Sequence, residues 1–386
     1  MSTISPYLGP ALDLLAAVLA LVYGGWQMRN YFRWQRREGL PKDKNFKDLP
    51  TIAIIVPFRN EADNLPALLT SLRGQDYPAK RYEVILVDDH STDGGEVAGA
   101  RWGGQQQGGF RLRILSLQDH LAGRQVVAHK KAALSYGIEE TAAEIILTTD
   151  ADCTLPSDLL SRVAQTFSTQ TDVALGPVLI GPGQGLLHAF QVLDLAGYQL
   201  YTAAMVATGA PGLANGACLA FRRERFLTVD GYAGVDHLPS GDDVLLLHKF
   251  NAAGYQAAWL PGQTPVYTQA VTSWSALWRQ RLRWASKAGS YVHPGLQFGQ
   301  ALAFLTSLLI LLLLFTFPLH LRPRPLLLLW GTKFFIDLVL LFTVTKYYRQ
   351  LKMLLWYPLV ALIYPFYLVA VGTAALLGIK AGWKGR

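Results

Sequence analysis

The chain has 386 residues and a net charge of +8, with 51% of its residues hydrophobic and only 16% charged. That balance is too apolar for an ordinary soluble enzyme of this length. The positive charge lacks any aromatic-interleaved basic motif, which excludes the usual nucleic-acid surface.

The apolar residues concentrate in four long runs, one near the N-terminus and three after residue 298. Each is close to the roughly 20 residues a helix needs to cross a bilayer. The first covers Leu8 to Gln27; no Lys or Arg precedes it, and Arg29, Arg33, Arg36 and Arg37 follow. A signal peptide has the opposite charge order and a small-residue cleavage site. The run therefore predicts an uncleaved anchor (residues 1–28) whose C-terminal side faces the cytoplasm. A basic juxtamembrane linker, 29–48, leads into a stretch of normal soluble character, 49–270.

Within that stretch short β-rich runs alternate with helical ones. Strands are expected at Thr51–Val56, Tyr82–Val87, Leu112–Leu117, Glu144–Thr148 and Val173–Leu179, with helices at Ala62–Arg73, Lys130–Glu140 and Val244–Asn251. Strands separated by helices predict an α/β domain with a mostly parallel sheet and flanking helices. Ligands of such sheets bind at the carboxyl ends of the strands. The first strand leads into Pro57-Phe58-Arg59-Asn60-Glu61, the second into Asp88-Asp89-His90-Ser91-Thr92-Asp93, and the fourth into Asp150-Ala151-Asp152. A single Asp after a strand is ordinary turn or cap chemistry. Several carboxylates converging on one edge repel one another unless a cation is held there. Asp150 and Asp152 are two apart and share a face. Their hard oxygens suit Mg²⁺ or Mn²⁺ bridging a diphosphate. Cys153 and Cys218 lack metal-ligand spacing and read as packed thiols.

Further along come Lys130-Lys131-Ala132-Ala133-Leu134-Ser135-Tyr136-Gly137, then Gly241-Asp242-Asp243, and finally Gln280-Arg281-Leu282-Arg283-Trp284. Taken with the strand-end loops, in this order and over residues 51–286, these features resemble family 2 glycosyltransferases, which have the GT-A fold. The resemblance implies that Pro57, Arg59, Glu61 and Asp89 line the base and ribose of a nucleotide-sugar, a UDP-sugar by analogy. It places Lys130 near the donor phosphates and Asp150 and Asp152 on the metal. His129 stands where the family usually has Gly, and Ser135 where it has Asn. Asn215-Gly216-Ala217, leading to Phe221-Arg222-Arg223, resembles the segment bordering the acceptor. Glycosyl transfer needs a carboxylate to take the acceptor hydroxyl's proton. The family pattern gives that role to Asp243, with Asp242 as the rival whose alternative duty is to cap the helix that follows.

Gln280, Arg283 and Trp284 lie on a candidate amphipathic helix, Ser273–Lys287, within an interfacial segment 271–295. Trp at head-group level with Arg279, Arg281 and Arg283 on lipid phosphate is one reading of that helix. The resemblance adds another, with Gln280 and Arg283 on the pyrophosphate and Trp284 against the acceptor sugar. The remaining runs, Phe298–Leu319, Leu326–Thr345 and Met353–Leu377, make 296–386 a region of three membrane helices. Four crossings place both termini outside; the loop with Lys346, Arg349 and Lys352 agrees, whereas Arg322, Arg324 and the tail with Lys380, Lys384 and Arg386 agree less well. Lys333 and Asp337 sit four apart inside one run, a spacing that allows a self-neutralised pair or a role in lipid or glycan passage. Pro358 and Pro365 could kink the last helix.

The implied activity is inverting, metal-dependent transfer of a sugar onto a membrane lipid or glycolipid, at the cytosolic face of an inner membrane. A processive polysaccharide synthase is the alternative reading of the same motif, and an inactive membrane scaffold or transporter is a third.

Overall fold

The computed structural model describes residues 8–37, 49–95, 97, 99, 109–168, 170–291 and 293–379. Most of the expected juxtamembrane linker and the basic tail with Lys380, Lys384 and Arg386 lie outside the described residues. In chain order the elements begin with α1 (Leu8–Gln35), β1 (Ile52–Phe58), α2 (Leu65–Arg73), β2 (Tyr82–Asp88), β3 (Arg111–Ser116) and α3 (Leu117–Leu121). Next are α4 (His129–Glu139), β4 (Ile145–Thr148), α5 (Leu159–Phe167), β5 (Val173–Leu175), β6 (Val178–Ile180) and α6 (Leu186–Val206). Then follow β7 (Leu219–Arg222), α7 (Arg223–Thr228), α8 (Val244–Ala252), β8 (Ala257–Trp259), β9 (Val266–Thr268) and α9 (Trp274–Ala285). The chain closes with α10 (Pro294–His320), α11 (Pro323–Tyr347) and α12 (Tyr357–Leu376).

These elements form two compact units, one of residues Arg37–Pro182 and Met205–Ala270, the other of Met1–Arg36, Gly183–Ala204 and Val271–Arg386. The first holds a seven-stranded sheet ordered β3-β2-β1-β4-β7-β5-β8. β3, β2, β1 and β4 run parallel, β7 is antiparallel to both neighbours, and β5 and β8 are parallel. The mostly parallel sheet with flanking helices expected from the sequence is therefore present. Side-chain alternation divides the central strands between two faces. Ile52, Ile54 and Val56 pack with Leu65, Leu68, Leu69 and Leu72 of α2 and Leu159, Leu160 and Val163 of α5. Ile55 and Val87 take the opposite face, against α4. A Cβ at Gly137 there would lie 2.7 Å from the Ile55 methyl, so only glycine permits that helix its approach.

The structure departs from the expected elements in instructive places. The strand expected over 173–179 breaks at Gly176-Pro177. The Gly176 amide donates to the Cys218 carbonyl at 2.8 Å, and a Cβ at Gly176 would strike the Cys218 thiol. Pro177 has no N–H to continue a ladder. The chain then leaves the large sheet, and β6 pairs with β9 instead. α2 starts at Leu65 rather than Ala62, because residues 60–64 are held by another loop, and Pro66 sits in its first turn, where a missing N–H costs nothing. Both cysteines are buried, free thiols.

The second unit is helical. Among its described residues four helical stretches are long and apolar enough to cross a membrane, at Gly9–Gln35, Pro294–Pro318, Pro323–Tyr347 and Leu351–Leu376. α6, of which Gly183–Ala204 belongs here, was not expected. Its Phe190 and Leu193 pack with Leu277, Tyr357 and Val360. α1 and α11 are tied by a polar cluster in which Lys333 donates to Asp337 and to the Tyr23 hydroxyl, and that hydroxyl donates to Asp337. Pairing of Lys333 with Asp337, allowed by their spacing, is thus observed.

Candidate active site

In the sheet order β3-β2-β1-β4, successive strands run outward from β1 on one side while β4 lies on the other. The crevice beyond the carboxyl ends of β1 and β4 is where an open α/β sheet accepts a ligand. Pro57 lies in β1, a central strand, yet the register with β4 ends at Ile55↔Thr148, so its missing N–H deprives β4 of nothing.

The β1 and β2 loops are laced together. The Asn60 amide donates to Ser91 Oγ at 3.0 Å, the Thr92 amide to Asn60 Oδ1 at 2.8 Å, and the Ala62 amide to Asp93 Oδ2 at 2.8 Å. Asn60 and His90 both take left-handed backbone, at φ 53° and 60°, which Asn tolerates better than most residues. Glu61 accepts from Asn64 Nδ2 at 2.6 Å, and Arg59 is half-buried beside it in sequence. Asp89 is buried, with His90 Nδ1 and His129 Nδ1 on its Oδ1 at 2.8 and 2.9 Å.

β4 delivers Asp150 and Asp152. Lys130, in the first turn of α4, donates to Asp150 Oδ1 at 2.7 Å, and its ammonium is 3.2 Å from Asp242 Oδ2. Burial opposes the lysine's charge, but Asp150, then Asp242 and Asp243, outweigh it and hold Lys130 well above the usual lysine range. Asp152 accepts from Thr268 Oγ1 of β9 at 3.2 Å. Burial, then the charges of Asp150 and Glu61, push its carboxyl up to about 6. The acids of the β1 and β4 loops thus act on one another, and Asp242 and Asp243 act with Asp150 on Lys130.

Asp243 has both carboxylate oxygens engaged by backbone amides, Oδ1 by Val244 at 2.7 Å and Oδ2 by Gly216 at 3.1 Å. It is Asp243, not Asp242, that caps α8. The expected cap assignment is corrected, because Asp242 turns instead to Lys130. Gly216 itself is fixed by Thr148, whose hydroxyl donates to its carbonyl at 2.7 Å. A Cβ on Gly216 would lie 3.0 Å from Asp242 Oδ2 and 3.4 Å from Lys130 Nζ, so the segment 215–217 lies hard against the charged cluster.

Gln280, Arg283 and Trp284 lie on α9, in the helical unit. Arg281, expected on the head-group side, is buried instead. It donates to Asp194 Oδ2 at 2.8 Å and stacks 4.1 Å over the Trp284 ring, and its Nη1 donates to Gln280 at 2.6 Å. Trp274 and Trp278 are exposed, as that helix's amphipathic pattern requires. Thr268, the Gly216 amide and Asp194 were not found by sequence reasoning. The first two act from strands or turns too short to show a period, and Asp194 sits in a helix taken for part of the soluble domain.

Two family models match the chain: "Glycosyl transferase family 2" over residues 53–224 and "Glycosyl transferase family group 2" over residues 145–376. The chain belongs to glycosyl transferase family group 2. Among curated relatives of this family member, a beta-monoglucosyldiacylglycerol synthase of Synechocystis is 26% identical over 248 residues, 64% of this chain and 49% of that protein. An N-acetylglucosaminyltransferase of Neorhizobium galegae is 25% identical over 295 residues, 73% of this chain and 65% of that one. The chain therefore spans about half to two thirds of these relatives' lengths. A mannosyltransferase of Pyrobaculum calidifontis, solved with GDP-Man and Mn²⁺, shares the fold with a TM-score of 0.62 at 21% identity, covering 96% of this chain and all of that one.

Proposed function

We propose that this family member is an inverting glycosyltransferase moving a sugar from a nucleotide-sugar, a UDP-sugar by family analogy, to a membrane lipid or glycolipid. One observation carries the reading: Lys130 lies between Asp150 and Asp242 while Asp243 is held alongside by the Gly216 and Val244 amides. A lysine and paired acids brought from three separate loops are what diphosphate departure and proton removal require.

Pro57, Arg59, Glu61 and Asp89, on the laced β1 and β2 loops, would receive the base and ribose. Asp150 and Asp152 would hold the cation; their all-oxygen donor set, and the burial and neighbouring negative charge that together raise Asp152, fit Mg²⁺ or Mn²⁺. Bound there, such an ion neutralises the departing diphosphate. Lys130 places a second positive charge at the same phosphates. Asp243 takes the proton of the acceptor hydroxyl as it attacks the anomeric carbon from the side opposite the leaving group, which inverts the configuration. The two backbone amides fix its orientation, and Asp242 keeps Lys130 in place. Gln280 and Arg283 are assigned to the pyrophosphate and Trp284 to the acceptor by the family resemblance. The four apolar helices and the lipid-directed relative support a membrane acceptor, and the arginines from Arg29 to Arg37 support a cytosolic catalytic side.

The N-acetylglucosaminyltransferase likeness favours a second reading, processive polysaccharide synthesis. Incubating the purified full chain with radiolabelled nucleotide-sugars, lipid vesicles and Mg²⁺ or Mn²⁺ tests both readings. A single glycolipid with release of nucleoside diphosphate is expected, and a long product ladder would replace the first reading by the second. Asp243→Asn keeps a cap acceptor and should lower turnover by roughly 10²–10⁴-fold, the range of a general base. Unchanged turnover in that variant would remove Asp243 from the mechanism, and no release with any donor would overturn the enzyme assignment.

A further inference from the structure

Two histidines to which the proposed transfer gives no role, His90 and His129, close on Asp89, whose own proposed place is beside the base and ribose. We propose that these three side chains form a site for a divalent transition ion of the zinc class, separate from the Asp150/Asp152 pair.

The geometry carries the proposal. His90 follows Asp89 directly at the end of β2, and its left-handed backbone, φ 60°, is part of how its ring comes back onto its neighbour's carboxylate. His129 arrives from a distant segment, as the first residue of α4. Both Nδ1 atoms sit on the same oxygen, Asp89 Oδ1, at 2.8 and 2.9 Å. The rings stand 5.7 Å apart at 76°, so neither blocks the other's approach. One donor atom from each residue lies within 4.8 Å of the other two. Zinc bonds of about 2.0–2.1 Å in a tetrahedron separate ligand atoms by about 3.3 Å. The two separations between Asp89 and the imidazoles therefore need to open by only a few tenths of an ångström to admit the ion.

The donor set decides the class of ion. Two imidazole nitrogens and one carboxylate suit a borderline ion such as Zn²⁺, whereas Asp150 and Asp152 offer the hard oxygens that Mg²⁺ and Mn²⁺ prefer. Burial is graded to match: the Asp89 side chain is 3% exposed, His129 19% and His90 30%. The anionic ligand is thus inside and the imidazoles reach outward, leaving a fourth position open to water or an incoming ligand atom. Coordination through Nδ1 requires each ring to carry its proton on Nε2. The nearest lysine in sequence, Lys130, does not oppose the ion with an uncompensated charge, since Asp150 and Asp242 take up its ammonium. His129 stands where the family usually has Gly, so this site is a property of the chain rather than of the fold.

The test uses the full chain in detergent with excess Mg²⁺ to occupy the acidic pair, titrated with Co²⁺ and with Zn²⁺. One equivalent of Co²⁺ should give the visible ligand-field bands of a four-coordinate nitrogen–oxygen site, and calorimetry should give one Zn²⁺. His90→Asn and His129→Gly should each weaken binding by at least the roughly 10–100-fold that losing a mere second-layer partner costs. The double variant Asp150→Asn with Asp152→Asn should retain it. Absence of the bands in the wild-type chain, their persistence in His129→Gly, or their loss in the double Asp variant would overturn the assignment. A readout that needs no variant is acylation of the wild-type histidines by diethyl pyrocarbonate. Zn²⁺ should protect His90 and His129 selectively, and equal labelling with and without Zn²⁺ would also overturn the site.

Discussion

The two units treat charge in opposite ways. Among the described residues of the helical unit each deeply buried charge meets a counter-charge: Arg281 meets Asp194, and Lys333 meets Asp337 with Tyr23 completing the hydrogen bonds. In the α/β unit Lys130 stands among Asp150, Asp242 and Asp243, while Asp152 feels Asp150 and Glu61. The first arrangement is complete without any ligand. The second carries an excess of negative charge that only a bound cation, or protonation, relieves. A unit whose charges are balanced is built to hold its shape, and one whose charges are unbalanced is built to bind.

The largest effect should come from unbalancing the balanced unit. Arg281→Met leaves Asp194 buried with the Tyr364 hydroxyl at 3.1 Å but without its cation. Breaking a buried pair in this way costs about 3–5 kcal/mol, whereas replacing both partners by apolar residues is close to neutral. Thermal unfolding in detergent should show Arg281→Met strongly destabilised and the double variant Arg281→Met with Asp194→Leu recovering most of the loss. Similar costs for the single and double variants would mean that Arg281 matters for its stacking on Trp284 rather than for its charge.

Much of this division is legible in the amino-acid sequence. The parallel strands β1, β2 and β4 followed from β-rich runs between helical ones, and the strand-end acids from the rule that such sheets bind at those ends. Apolar run length disclosed four candidate membrane helices, and the Lys333–Asp337 spacing disclosed their pair. What stayed hidden depends on contacts between residues far apart in sequence. Thr268 reaches Asp152 across 116 positions, and Gly216 reaches Asp243 across 27. β7, β8 and β9 have three or four residues each, too few to display a period. α6 is apolar enough to resemble core, and nothing local marks its Asp194 as the partner of Arg281. Of two adjacent acids Asp243 rather than Asp242 caps α8, a choice that rests on which of them Lys130 claims.

An intermediate effect should appear in the unbalanced unit as pH changes. Asp152 ordinarily titrates near 3.8 and is pushed up to about 6 here. Between those values the folded chain binds more protons than the unfolded one. Stability from this group is therefore present at low pH and is lost as pH rises through that window. Cation binding needs the ionised carboxyl, so the stabilisation given by Mn²⁺ should grow over the same window and level off above about 6. Unfolding midpoints measured with and without Mn²⁺ from pH 4 to pH 8, for the wild type and Asp152→Asn, should diverge in this manner. An Mn²⁺ effect equally large at pH 4 would detach Asp152 from the cation.

The smallest effect concerns how the helical unit starts α9. Ser273 has extended backbone, φ −142° and ψ 152°, and its hydroxyl accepts from the Ala276 amide at 3.2 Å. Removing such a cap costs about 1 kcal/mol. The loss should be local, because Leu277, Leu282 and Arg281 still bury the inner face of the helix. Hydrogen exchange in Ser273→Ala should accelerate at residues 274–277 and remain unchanged around Arg281. Ser273→Asp should restore protection, since it keeps an acceptor and adds a negative charge at the helix N-terminus. If Ser273→Ala instead released the amides around Arg281 as fully as Arg281→Met does, the ion pair would not be what anchors α9, and balanced charge would lose its place as the organising feature of that unit.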